Sequence, residues 1–290
     1  MRLCMVILNY NDCQTTIGLL DKIKDYKIID RILVVDNNSS DESMQRISEY
    51  ASKYKAINVI RTDRNGGYAY GNNYGCEYAI KMWNPSYIAI ANPDIYIAEK
   101  TIYKLLTLYE KREDAAIISC MMNCTSNIDL PSAWKLPTFT DCLLENLLIL
   151  RKIVGNRTRY KNLCDCIVKK VDVIAGSFFI IKSSVFKEID GFDESTFLYY
   201  EENMLASRIA KRKLSNYIIC DETYDHMHSV SINKSYKSIG KRMDISQDSR
   251  KIYCEKYLNC GKFAMAIEKM TYHIGKINYL ILKSTIGKLI

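Results

Sequence analysis

Histidine, tryptophan and proline are scarce in this 290-residue chain, with three, two and four copies. None of the histidines stands beside a cysteine cluster, and the cysteines include a CxC at Cys164 and Cys166 but no CxxC. The ligand spacings of a structural zinc site are therefore missing. No window approaches the roughly 18 consecutive apolar residues of a membrane-spanning helix. The N-terminus MRLCMVILNYND lacks the charged lead, long apolar stretch and small-residue cleavage site of a secretory signal, so export is not expected. Internal repeats and low-complexity linkers are missing too. The eleven cysteines are odd in number and scattered, which fits reduced thiols in the cytoplasm better than a disulfide framework.

What is present is apolar content of 48%, enough to fill one substantial core. Charge is uneven along the chain. From Lys211 onward there are 15 basic and 7 acidic residues, whereas the first 210 residues balance. Such a basic tail can face an anionic membrane leaflet, nucleic acid or water. No interleaved aromatic-basic motif supports nucleic acid, and that partner is not expected.

The first hundred residues alternate between two hydrophobic periods. Strand patterns cover Arg2–Leu8, Arg31–Val35, Ile57–Thr62 and Tyr87–Ala91, with helical patterns over Asp12–Asp25 and Asp41–Lys53 between them. A glycine-rich turn, RNGGYAYGNNYG from Arg64 to Gly75, leads into a helix ending near Trp83. A helix over Ala98–Lys111 and a strand over Ala115–Met121 continue the series. Repeated βα units predict a mostly parallel central sheet flanked by helices. From Met122 to Lys170 the pattern weakens, and this stretch is read as an insertion covering the substrate. Two strand-like runs then meet at Ala175 and Gly176, and a helix spans Glu201–Lys213. The expected division is residues 1–121 and 122–235 as two halves of one domain, with a basic helical extension over 236–290.

Several apolar runs end in polar groups. Asp36 follows RILVV with Asn37, Asn38, Ser39 and Ser40; Asn92, Pro93 and Asp94 follow YIAIA; Glu201 and Glu202 open the late helix. Open α/β sheets bind ligands beyond the carboxyl ends of their strands, so these acids can converge on one rim. Equally, Asn, Ser and Asp are ordinary turn and cap residues, and two glutamates suit the first turn of any helix. Gly66, Gly67, Gly71 and Gly75 match neither GxGxxG nor a P-loop, and imply only close backbone approach at a loop-to-helix turn.

Taken together, VILNYN, VVDNNSSDES, RNGGYAYGNNYG, IANPDIYI, IAGSFFIIKSSVFKEIDGFDES, FLYYEENMLASRI and HMHSVS stand in the order and spacing of bacterial family 2 glycosyltransferases. The chain resembles the rhamnosyltransferase-like branch of that family over roughly residues 1 to 235. The resemblance implies a Rossmann-like GT-A fold, a nucleotide-sugar donor (dTDP-rhamnose before a UDP-hexose) and inverting transfer to a glycan or lipid-linked glycan in surface polysaccharide assembly at the cell envelope. It places Asp36 on the donor nucleoside and maps the metal-holding DxD segment to Asn92, Pro93 and Asp94, of which only the last is acidic. A divalent cation, Mg²⁺ or Mn²⁺, is thus expected on Asp94, with His226 as a second contact. Asn11, Asn38, Arg64, Asn65, Gly66 and Asn92 fall among the expected donor contacts. Glu202 falls on the base that takes the acceptor proton. Glu201, Gly176, Ser177 and Trp134 fall on the acceptor side, Trp134 as a stacking face for a sugar ring or else as core. Met204 stands where a second acid is usual, which removes a supporting contact. The missing acids also fit a relative that binds nucleotide sugar or glycan without catalysis, and donor turnover separates the two.

Lys262, Lys269, Lys276 and Lys283 recur every seven residues among apolar ones, so the extension reads as a basic amphipathic helix. It either lies on the inner membrane leaflet or packs on the catalytic domain or a second subunit of a homodimer.

Overall fold

Both faces of strand β1, Leu3–Asn9, are buried, which is why LCMVILN shows no polar alternation. Leu3, Met5 and Ile7 join one apolar cluster while Cys4 and Val6 join another, as a side-chain period of two requires. The same division runs through β2 (Arg31–Asp36), where Ile32 and Val34 face one way and Leu33 and Val35 the other. The computed structural model describes residues 2–124, 130–147, 153–227 and 238–286, without the side chains of 239, 280 and 282–286. Ser229 and Ser231 of the late HMHSVS block, and the side chain of Lys283, lie outside the described residues.

The central sheet runs β3–β2–β1–β4–β10–β6–β11–β5, with β8 (Val168–Val171) also on β11. Strands β3 (Ile57–Arg61), β2, β1 and β4 (Tyr87–Ala91) pair in parallel. Strand β10, Phe178–Lys182, inserts antiparallel between β4 and β6 (Ala115–Cys124). Strand β11, Ser215–His226, then lies parallel to β6 and antiparallel to the short β5, Ile95–Tyr96. The sheet is therefore mostly parallel in direction, and β10 and β11 from the later half complete it. Two-residue strands β7 (Ala133–Trp134) and β9 (Val173–Ile174) pair separately.

Helices cover both faces. On one side lie α1 (Cys13–Ile23), α2 (Ser43–Ala51) and α4 (Glu99–Lys111), contributing Leu19, Leu20, Ile47, Ile102 and Leu105 to the first cluster. On the other lie α3 (Gly67–Trp83), α6 (Ser183–Glu188) and α7 (Glu201–Lys211), contributing Ala69, Cys76, Val185, Leu205 and Ile209. Each fully buried aliphatic side chain stabilises such a core by roughly 1.5–3 kcal/mol. A third cluster joins Cys142 on α5 (Phe139–Asn146), Tyr200 and Met204 to Tyr253 and Cys254 on α8 (Ile239–Lys256), and so seats the C-terminal helices α8 and α9 (Lys262–Ile286).

Three sequence expectations shift. The glycine-rich stretch is helical from Gly67 on, and its glycines let α3 lie close on the sheet, where a Cβ at Gly71 would meet Leu8 and one at Gly75 would meet Val35 and Val6. Strand β11 was invisible as a strand, since SNYIICDETYDH carries polar residues and two register shifts against β6. Met204 is fully buried in the third cluster, so the position that would hold a second acid is part of the seat for the C-terminal helices.

Candidate active site

Parallel strands β1, β2 and β4 all end on one rim, and a cavity of about 620 Å³ opens there. Its floor is Asn92, Pro93 and Asp94 just past β4, beside Gly176 and Ser177 just before β10. The antiparallel β4–β10 register forces that proximity, and Asn92 N donates to the Ser177 carbonyl at 2.8 Å. Glu201, Glu202 and Asn203 enter from the start of α7, His226 from the end of β11, Asn37 and Asn65 from the loops after β2 and β3, and Gly67 from the start of α3. Pro131, Trp134, Asn156, Thr158 and Arg159 of the 122–170 stretch form a further wall.

The two glutamates occupy different environments. Glu201 is 4% exposed, and its Oε2 has no hydrogen-bond partner among the described residues. Burial and the neighbouring Glu202 charge push its carboxyl well above the usual range. Glu202 is half-buried; burial raises its pKa as well, but the Gly176 N–H, 3.3 Å from Oε1, favours the anion. Both carboxyls are pushed up, Glu201 further and Glu202 with a backbone donor supporting its anion, and such unequal pairs are where acid and base roles arise. Gly176 has to be glycine for this contact, since a Cβ there would stand 2.8 Å from Glu202 Oε1. Its carbonyl accepts the Tyr68 hydroxyl at 2.5 Å, and the Ser177 hydroxyl meets Tyr224 OH at 2.7 Å.

Asp94 and His226 form a pair on the floor, with Nε2 3.2 Å from Oδ1 and both side chains 7% exposed. The β11–β5 pairing brings them together, and Met227 N donates to the Asp94 carbonyl at 2.9 Å. Both residues line the cavity, Nδ1 of His226 lies 3.3 Å from Met122 Sδ, and a carboxylate beside an imidazole is a donor pair that suits a hard cation taking its other ligands from phosphate and water. Among the described residues no group of three or more His, Cys, Asp or Glu side chains gathers as a closed metal site. The donor set thus fits an ion that arrives with a phosphorylated ligand.

Asp36 lies apart from the cavity lining. It is fully buried and accepts from Asn9 Nδ2 at 3.0 Å, Ser39 N at 3.1 Å and the Ser39 hydroxyl, with Arg61 Nε 3.6 Å away. Its carboxylate fixes the 37–40 loop, whose Asn37 does reach the cavity and donates to Asn65 Oδ1 at 3.0 Å. Asn11 is tied to the same loop through Ser40 N at 2.8 Å, and Asn38 holds the Arg61 guanidinium. Arg64 stacks on Tyr70, 4.4 Å from its ring centre, and a Cβ at Gly66 would strike that ring. None of Asn11, Asn38, Arg64 and Gly66 lines the cavity, whereas Asn65 and Asn92 do. Trp134 lines it half-buried, its indole N–H donating to Asn203 Oδ1 at 2.7 Å, which ties the 122–170 stretch to α7.

Tyr68, Glu145, Arg159, Tyr199 and Tyr200 also line the cavity, and no motif in the sequence marks them. Tyr199 and Tyr200 have φ of 72° and 68°, consecutive left-handed residues that aim the first turn of α7 inward. Neither carries the Gly or Asn that marks such a turn in a sequence.

The profile of the family described as "Glycosyl transferase family 2" matches residues 4–190. The chain is 28% identical over 233 residues to "Low-salt glycan biosynthesis hexosyltransferase Agl10" of Haloferax volcanii, covering 80% of this chain and 69% of that one. To the "N-acetylglucosaminyl-diphospho-decaprenol L-rhamnosyltransferase" of Mycobacterium tuberculosis it is 24% identical over 206 residues, covering 67% and 66%. The chain thus spans about two thirds of the length of these relatives. In fold it is similar to the mannosyltransferase PcManGT from Pyrobaculum calidifontis, solved in complex with GDP-Man and Mn²⁺, with a TM-score of 0.60 at 12% identity over 99% of this chain and 80% of that one.

Proposed function

The chain belongs to glycosyl transferase family 2, and from that premise we propose that it transfers a sugar, with inversion, from a nucleoside diphosphate to a hydroxyl of a glycan or lipid-linked glycan in surface polysaccharide assembly. It is a glycosyltransferase of the GT-A type. The observation that carries the finer reading is that Asp94, Glu201, Glu202 and His226 all face one cavity of about 620 Å³, a volume in the ordinary range of small-molecule sites.

In this reading the donor lies along the β-strand rim. Asn37 and Asn65 meet its nucleoside from two neighbouring loops, the first held rigid by Asp36, Asn11 and Asn38, and Arg64 and Gly66 shape the turn of the second. Asp94 and His226, with Asn92 beside them, would hold a divalent ion, Mg²⁺ or Mn²⁺. Such an ion offsets the negative charge that gathers on the departing nucleoside diphosphate. Glu202 accepts the acceptor proton as the hydroxyl oxygen attacks the anomeric carbon, and the Gly176 N–H keeps its carboxylate aimed. Glu201 lies enclosed beside it, its carboxyl pushed toward the protonated form by burial. Trp134, Ser177 and Arg159 bound the acceptor side.

The names of the two relatives favour a hexose or rhamnose as the transferred sugar, and the second favours an acceptor on a lipid diphosphate. The reading therefore takes dTDP-rhamnose as first donor and a UDP-hexose as second. A cytoplasmic setting is supported by eleven cysteines that are all free thiols. The test measures nucleotide release and sugar transfer with a panel of nucleotide sugars for the wild type and Glu202→Gln. Donor binding persists in the variant while transfer falls by roughly 10²-fold or more, the scale of a positioned base. Near-normal turnover by Glu202→Gln removes that residue from the role.

A further inference from the structure

Helix α9 has two unlike faces. The inner one carries Glu268, Thr271, Tyr272 and Gly275, all buried. Glu268 accepts from Gln247 Nε2 at 2.7 Å, Thr271 accepts from Asn146 Nδ2 at 3.1 Å, and a Cβ on Gly275 would fall on the Asn146 carbonyl. The helix is thus docked on α5 and α8, and its direction in space is fixed by a sealed polar seam.

The outer face is apolar and open. Phe263, Met270, Ile274 and Ile277 are 81, 56, 42 and 57% exposed, and their spacings of seven, four and three put them in one row along the helix. Lys262 and Lys269 are exposed one position before Phe263 and Met270, about 100° round the helix, so they edge the row. The single carboxylate between Lys262 and Ile286 is Glu268, which is 1% exposed on the docked face. An apolar row bordered by cations, with no carboxylate of its own helix beside it, is complementary to a surface of anionic headgroups over hydrocarbon. A second copy laid antiparallel on the same face would bring lysine rows together.

We infer that α9 is a membrane-contacting face, lying along an anionic bilayer with Phe263, Met270, Ile274 and Ile277 at the headgroup–acyl boundary and Lys262 and Lys269 on the phosphates. The helix packs on the catalytic domain and still presents a lipid surface, because its two faces divide those tasks. Sugar transfer plays no part in the measurement, so its outcome is separate from that of the proposed reaction.

The experiment is flotation of the full chain with vesicles of phosphatidylcholine alone or mixed with phosphatidylglycerol. The wild type floats with the mixed vesicles and not with phosphatidylcholine, and added salt weakens binding. Ile274→Asp combined with Ile277→Asp lowers the partition coefficient at least tenfold, and Lys262→Glu combined with Lys269→Glu lowers it by roughly tenfold or more, given about 1 kcal/mol per basic residue near such a surface. Both doubles keep the wild-type melting temperature, since the altered side chains are exposed; should the isoleucine double fail to fold, the lysine double alone decides. The inference is overturned if the wild type stays with the unbound fraction, if neither double changes flotation, or if light scattering shows a dimer that the same substitutions split.

Discussion

Replacing Arg250 by methionine keeps an unbranched apolar stem and removes the guanidinium and its charge from the seam that joins α8 to the catalytic domain. Arg250 is 7% exposed and donates to Tyr200 OH at 3.1 Å, Gln247 Oε1 at 3.2 Å and Asn146 Oδ1, with Glu145 at 3.5 Å and Glu268 at 3.9 Å. Without it, Glu268 is left 1% exposed with only amide donors, and the loss of one partner of a buried pair costs about 3–5 kcal/mol. At roughly 2–4 °C per kcal/mol for a domain near this size, the melting temperature falls by about 6–20 °C. Adding Glu268→Gln removes the stranded charge and recovers part of that loss, so calorimetry of the two singles and the double forms a cycle with a favourable coupling. Because Tyr200 immediately precedes Glu201 and also donates to Glu145 Oε2 at 2.6 Å, kcat at permissive temperature falls more than KM rises. A melting temperature within about 2 °C of wild type, or a double variant no more stable than Arg250→Met, refutes the account of the seam.

Glu201→Gln tests the enclosed carboxyl: the native pKa is raised, so wild-type stability is greatest below the ordinary glutamate range and declines as pH rises through the raised value. Urea unfolding at successive pH values should therefore find the Gln variant flatter with pH and relatively more stable on the alkaline side; parallel curves would refute it. Gly176→Ala pushes Glu202 aside by a clash at 2.8 Å, and transfer drops by roughly 10²-fold with the far-ultraviolet spectrum intact, a result that wild-type turnover would exclude. Chelation abolishes transfer and Mn²⁺ restores it, with His226→Ala requiring more metal for half-restoration; equal metal titrations in variant and wild type would remove His226 as a contact.

The βα series of the first 121 residues was legible because its buried strands are continuous apolar runs and its helices have a clear period. What the sequence could not display is how β10 comes to lie against β4. That pairing alone carries Gly176 and Ser177 to Asp94, and it depends on contacts between distant parts of the chain. Asp36 illustrates a second limit: a polar group at a strand end reads the same whether it faces ligand or, as here, spends its oxygens on Asn9 and Ser39. Tyr200 and Arg250 belong to a network whose members lie 50 residues apart, with no local pattern to announce it. The lysine heptads did foretell an amphipathic helix, but the docked face uses Glu268 and Thr271, polar residues that a periodicity scan assigns to water.

The place of β10 in the sheet also bears on biosynthesis. A nascent chain that has completed β4 holds β1 on one side of it and an open row of backbone donors and acceptors on the other, until Phe178–Lys182 emerges several seconds later at roughly 5–20 residues per second. During that interval the β4 edge is free to pair with any extended strand nearby. Fragments ending ahead of β10 should therefore collect in inclusion bodies, whereas chains reaching Lys182 gain the strand that closes the gap.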